Sequence, residues 1–290
     1  MVLATAEARR VGPYEIGAEI GRGATSRVFV AQHVGMGRRV AFKELHVRAD
    51  NRAAGARFLA EARITASISH PHVVPAHDYV EQDGGTALVL EHAPHGSLRR
   101  HIRHGLGLGQ AGGVLEDVLS GLAQLETQRI RHLDIKPDNL LVTANGRIKI
   151  ADFGSAQSDG PDRVDPPDDD DVFVVGTPHY LAPERARCGR VGPSTDLYAV
   201  GMLTFEMLVG RAPFAGTRDP VDVVRQQLHD PVPRVCDLVP GMSLRVEDWI
   251  DWLVAKAPSD RPAAAAEAWE VLDRVLTDVL GPSWRHAAGL

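Results

Sequence analysis

The apolar pattern of this chain changes period near Gly96, and that change limits the fold more than any single motif does. Before Gly96, short runs rich in β-branched and aromatic residues lie between Gly-containing turns, which predicts strands over 14–21, 26–34, 39–47, 73–82 and 86–92. One segment of this half departs from the pattern. Residues 53–69 carry Phe58, Leu59, Ala62 and Ile64 at near-helical spacing, and Pro71 ends that helix. Beyond Gly96 the period becomes helical. Residues 112–130 place apolar side chains at 115, 118, 119, 122 and 125, and further helices are predicted over 195–209, 219–228, 246–256 and 263–280. Irregular chain lies between them, with one short hairpin through Asn145-Gly146. A β-rich half followed by a helical half predicts an α+β architecture of two lobes with a cleft between them.

Composition narrows the function classes. With 290 residues, 44% of them hydrophobic but only 5% aromatic, the core must come largely from Ala, Val and Leu. The formal net charge of −6 argues against a nucleic-acid surface, which needs a basic patch. The acidity is uneven: residues 159–171 hold seven Asp and one Arg, a composition that suits a solvated loop. Two cysteines, Cys188 and Cys236, are too few for a disulfide framework or a zinc site, which fits a reducing compartment. The first fifteen residues lack the apolar core of a signal peptide. The longest apolar run, 197–210, is interrupted by Glu206 and is too short to span a bilayer. These features predict a soluble, cytoplasmic chain with no membrane segment of its own; a longer parent protein anchored elsewhere is compatible with them.

Four stretches carry chemistry. In "IGRGATSRVF" (20–29), Gly21 and Gly23 sit in a turn between strands, where backbone N–H groups can approach a phosphate; an ordinary hairpin would also use them. In "VAFK" (40–43), Lys43 lies inside an apolar strand and needs an anion, because an unpaired buried ammonium is costly; Glu61, on the helix, is the natural partner. In "HLDIKPDN" (132–139), Asp134 can orient a hydroxyl or take its proton, and Lys136 can neutralise a transferring phosphoryl group. Asn139 and the following Asp152 of "IADFGSA" (150–156) form a hard-oxygen pair suited to magnesium.

Taken in order, these stretches resemble the protein kinase family, in its bacterial (Hanks-type) serine/threonine branch. The resemblance is carried by "GRGATSRV", "VAFK", Glu61, "HLDIKPDN", "DFG" (152–154), "APE" (182–184), "DLYAVG" (196–201) and "SDRP" (259–262), and it spans about 14 to 275. It implies a bilobal kinase-like fold: an extension over 1–13, a small β-rich N-lobe with one helix over 14–92, a larger helical C-lobe over 93–275, and an extension over 276–290.

The resemblance also implies roles. Lys43 would hold the α and β phosphates of ATP and be held by Glu61. Asp134 would position the acceptor hydroxyl, Lys136 would meet the γ-phosphate, and Asn139 and Asp152 would bind Mg2+, with Mn2+ as the alternative ion. Gly21, Gly23 and Ser26 would cover the phosphates. Leu90 falls at the gatekeeper position, the backbone of Glu91 and Ala93 would meet the adenine edge, and Val28, Ala41 and Leu141 would sandwich the ring. Ser97 lies where the ribose is contacted, and Arg261 would pair with Glu184. "IKP" at 135–137 and "GTPHYLAPE" at 176–184, with Thr177 bridging toward Asp134 and Lys136, are similar to the serine/threonine branch. The implied partners are protein substrates, with the N-lobe or its helix as a dimerisation surface. A pseudokinase-like scaffold and a small-molecule kinase are the competing readings.

The sequence departs from the family pattern at several positions. Leu133 stands where an arginine usually precedes the catalytic Asp, and a leucine cannot bind an activating phosphate. Between Asp152 and Glu184 the only Ser or Thr residues are Ser155, Ser158 and Thr177, so 159–176 offers no such hydroxyl to phosphorylate. Loop phosphorylation is therefore expected to be absent or different. Thr65 and Ala76 would thin the apolar column that couples the N-lobe helix to the DFG motif. The thirteen histidines show no metal-binding pattern, with His101 and His104 the nearest approach, and Trp249, Trp252 and Trp269 are expected to pack the C-lobe core.

Overall fold

The structure is a computed structural model, and it describes residues 9–46, 52–82, 85–158 and 178–290. The acidic run at 159–171 and Thr177 lie outside the described residues. The chain forms two compact units. The first holds the N-terminal residues to Ser69 together with Val74–Pro94; the second holds His70–Val73 and His95–Leu290.

The first unit is an antiparallel sheet with one helix. Its strands are β1 (Arg10–Val11), β2 (Tyr14–Arg22), β3 (Ser26–His33), β4 (Arg38–Leu45), β5 (Ala76–Gln82) and β6 (Gly85–Glu91), and α1 (Arg52–Ser67) falls between β4 and β5. The strand order is β1-β2-β3-β4-β6-β5. Period-two alternation separates the faces. Tyr14, Ile16, Ala31, Val40, Phe42, Ala87 and Val89 bury one face. Leu88 on the other face packs with Phe58 and Ala62 of α1, joined by Leu45, Ala76, Tyr79 and Leu90. The tyrosine Tyr14 donates to Asp78 Oδ2 at 3.0 Å, and burial and that bond push its pKa up to about 12.

The second unit is mainly helical: α2 (Leu108–Thr127), α3 (Pro183–Ala186), α4 (Pro193–Val209), α5 (Pro220–His229), α6 (Leu244–Leu253) and α7 (Ala265–Leu280). Its short strands are β7 (Ile130–Arg131), β8 (Leu140–Val142), β9 (Ile148–Ile150) and β10 (Gln157–Ser158), paired as β8 with β9 and β7 with β10. The expected strand over 73–82 starts later, at Ala76, because His72 and Val73 pair instead with β9: the Ile150 N–H donates to the His72 carbonyl at 2.9 Å. No helix among the described residues is long and apolar enough to cross a membrane.

α2 begins at Leu108, four residues before the apolar period suggests. Gly109, Gly112 and Gly113 weaken helix propensity there, and packing overrides it. A Cβ on Gly112 would meet Leu276 at 2.7 Å and Trp284 at 2.9 Å; one on Gly113 would meet the Ala288 carbonyl at 2.4 Å. The bare helix thus receives α7 and the chain after it, where 284–287 form a 3-10 turn. Trp284 is buried, whereas Trp252 and Trp269 are only half-buried; of the three tryptophans expected in the core, Trp249 alone is fully inside. Trp269 instead lies 6.3 Å from Trp284, with the Arg285 guanidinium 4.5 Å from the Trp284 ring. We predict that Trp284→Ala lowers the unfolding free energy by about 3 kcal/mol, the cost of emptying a buried aromatic site, measured by urea denaturation.

Candidate active site

In the first unit, strand register places the expected nucleotide contacts on one face. Val28 pairs with Lys43, Ala41 with Leu90, and Gly21 with Val28. Cross-strand partners share a face, so Val28, Ala41, Lys43 and Leu90 line the side opposite the Val40–Phe42 core. Lys43 Nζ donates to Glu61 Oε1 at 2.5 Å, and both residues are buried. This pair gives the buried strand lysine its anion and links β4 to α1. Thr65, one turn on, is buried and returns its hydroxyl to the Glu61 carbonyl at 2.8 Å.

Gly21 and Gly23 have ordinary φ values, and a Cβ on either would make only normal contacts, at 3.7 and 3.5 Å. The hairpin itself does not require glycine at these positions. Its turn is closed by the Gly23 N–H donating to the Ser26 carbonyl at 2.8 Å. Glu91 closes β6, with its N–H on the Pro75 carbonyl at 3.2 Å, and Ala93 follows half-buried.

In the second unit, "HLDIKPDN" is an irregular stretch, with Leu133 and Ile135 buried and its polar side chains tied by hydrogen bonds. Asp134 Oδ2 accepts from Lys136 Nζ at 2.7 Å and from Asn139 Nδ2 at 2.8 Å, and Asn139 Nδ2 also donates to the Asp134 carbonyl at 2.8 Å. Asn139 leads directly into β8, and the Ala151 N–H donates to its carbonyl at 2.8 Å. With Leu140 opposite Ile150, the hairpin β8–β9 brings Asn139 and Asp152 to one end. The amide nitrogen of Asn139 is committed to Asp134, so its oxygen is the atom left to accept from or coordinate another group. An amide oxygen and a carboxylate are the donor types Mg2+ takes, with waters and phosphates completing its shell. Among the described residues no group of three or more His, Cys, Asp or Glu converges as a metal cage. Ser97 and Leu141 form an isolated antiparallel bridge beside this hairpin.

Three supports of the loop were not assigned from sequence. Asp196, buried on α4, accepts the N–H groups of His132 at 2.8 Å and Leu133 at 2.7 Å; burial pushes its pKa up. His132 Nε2 contacts the Ala151 carbonyl at 3.0 Å, and its ring meets Phe153 edge-on at 5.0 Å. Arg99 bonds Asp138 Oδ2 at 3.0 Å, Tyr180 Oη at 2.9 Å and Glu206. That pairing, with the Tyr180 hydroxyl also donating to Glu206, explains a glutamate inside the apolar run of α4. The signal available in the sequence was the charge itself: Asp196 and Glu206 lie in a buried helix and each must find donors.

The remaining expected pair is formed. Arg261 holds Glu184 through two bonds of 2.9 Å, with the Arg261 side chain fully buried. Comparison with known sequences agrees with the geometry. The protein kinase domain model matches residues 14–271. The chain belongs to the protein kinase family. Relatives include a probable serine/threonine-protein kinase, pknA2, of Bifidobacterium longum, 32% identical across 95% of this kinase chain and 36% of that protein. Serine/threonine-protein kinase PknL of Mycobacterium tuberculosis is 30% identical over 95% of this chain and 68% of its own length. PrkC of Bacillus subtilis is 32% identical over 88% of this chain and 39% of its own length. The kinase chain thus spans roughly a third to two thirds of these curated relatives.

Burial raises the Glu184 carboxyl, but hydrogen bonds and charge from Arg261 outweigh it and hold the group below its usual range. A depressed folded pKa contributes stability that is complete above the unfolded value, near 4.3, and is lost as pH falls through the lower folded value. The stability gap between the wild-type kinase and Glu184→Gln is therefore predicted to be constant between about pH 5 and pH 8 and to shrink below that, measured by urea midpoints across pH.

Proposed function

We propose that this chain is an active serine/threonine protein kinase, transferring the γ-phosphoryl group of Mg-ATP to hydroxyls of protein substrates. The observation that carries this reading is that two of the charged groups the chemistry needs are each oriented by a partner: Lys43 by Glu61, and Asp134 by Lys136 and Asn139. In this reading Lys43 binds the α and β phosphates. Asp134 uses Oδ1 to orient the acceptor hydroxyl and to take its proton. Lys136 offsets charge on the transferring group, and Asn139 and Asp152 hold the divalent ion. Bound Mg2+, or Mn2+ in its place, supplies charge neutralisation on the phosphates. Gly21, Gly23, Ser26, Val28, Ala41, Leu90, Glu91, Ala93, Ser97 and Leu141 are assigned to nucleotide contact.

Against a pseudokinase scaffold, Lys43, Glu61, Asp134, Asn139 and Asp152 are all present, so no role in the chemistry is left without a residue. The intact Arg261–Glu184 pair and the APE segment favour protein over small-molecule acceptors. Two free thiols and the demand for ATP suit a cytoplasmic setting. We further assign phosphate-independent activity to this chain, on the strength of Leu133 and of a 159–176 segment without Ser or Thr.

Asp134→Ala should lower ATP-dependent phosphorylation by about 10²- to 10⁴-fold, the range for losing a general base. Unchanged turnover in that variant would overturn the mechanism. Phosphatase-treated wild-type protein should keep its rate; a large loss would overturn phosphate independence.

A further inference from the structure

Leu133 is the unusual residue of the loop, and the backbone around it is held at both polar ends. It adopts φ +62°, a left-handed conformation that costs a side-chain-bearing residue on the order of 1 kcal/mol or more. Its N–H donates to Asp196 Oδ1. Its carbonyl accepts a bond from Arg185 Nη1. That carbonyl belongs to the same rigid peptide plane as the Asp134 N–H, which lies 3.3 Å from His132 Nδ1. One edge of the plane leading into Asp134 is therefore gripped by a guanidinium and the other by an imidazole.

Arg185 follows Glu184 in the short helix α3 and is partly buried. Burial pushes its pKa down, and the carboxylates of Asp196, Asp134 and Glu184 pull it back up. A guanidinium stays charged under these conditions. A permanent cation thus sits against the loop that carries Asp134, while the residue before Asp134 supplies no charge of its own.

We propose that Arg185 is a positioning residue for phosphoryl transfer: it fixes the Leu133–Asp134 peptide plane, and so the direction of the Asp134 carboxylate. The proposal rests on the kinase reading above. It adds a source for the loop geometry that lies in α3 and requires no phosphate.

The test is steady-state kinetics on the whole chain with Mg-ATP and dephosphorylated casein, comparing Arg185→Met, Arg185→Lys, Arg185→Ala and Asp134→Ala. A misplacement of the carboxylate by about 1 Å predicts a kcat loss of about 10²-fold in Arg185→Met with KM for ATP unchanged. Arg185→Lys should fall between Arg185→Met and wild type. Added guanidinium chloride, below denaturing concentration, should raise the rate of Arg185→Ala but not of wild type. A purely structural role would give neither the separation of kcat from KM nor the rescue, and that result overturns the proposal even if Arg185→Met melts early. Wild-type kcat in Arg185→Met, with Asp134→Ala inactive, overturns the positioning role and leaves the kinase reading standing. Full turnover in Asp134→Ala overturns the kinase reading itself.

Discussion

The carboxylate of Asp196 is the constraint on which the geometry of the second unit's candidate site depends. It is buried on α4, and burial disfavours its charge. Two backbone N–H groups, of His132 and Leu133, offset that cost. The arrangement is reciprocal: the helix would carry an unsatisfied charge without the loop, and the loop would lose the acceptor of two of its N–H groups without the helix. A left-handed leucine becomes tolerable because several bonds over-determine it. From this anchor the geometry propagates through Asp134 to Asn139, and through β8 and β9 to Asp152.

The first unit solves a similar problem with a side-chain pair. Lys43 lies on a strand whose alternate residues Val40 and Phe42 face a hydrophobic core. Turning to the opposite face, it finds Glu61 on α1. That face also carries Val28, Ala41 and Leu90, so one register decision sets both the ion pair and an apolar surface beside it. In each unit a buried charge and its partner fix the backbone that bears the candidate site residues.

Much of this was legible in the sequence, and what was missed has identifiable physical causes. Period-two and helical patterns located β2 to β6, α1, α2 and α4 to α7 with small boundary shifts. β1 is two residues long, too short for any period, and the start of α2 was hidden by glycines that serve packing rather than propensity. The short motifs singled out Lys43, Asp134, Lys136, Asn139 and Asp152 as candidates because each lies in a local signature, and Glu61 as the helix carboxylate offered to Lys43. Asp196, Arg185 and Arg99 act through partners 63, 52 and 107 residues away, and local pattern cannot report such contacts. Leu133 was visible as a departure; only the three-dimensional structure shows Arg185 against its carbonyl.

The central claim is that two oriented charge clusters transfer phosphate to serine or threonine. The most direct measurement is intact-mass analysis and peptide mapping of the chain after incubation with Mg-ATP and a protein acceptor. The account predicts added phosphoryl groups on Ser or Thr side chains, with none appearing when ATP is omitted. No added phosphate, or phosphate confined to tyrosine, would contradict it.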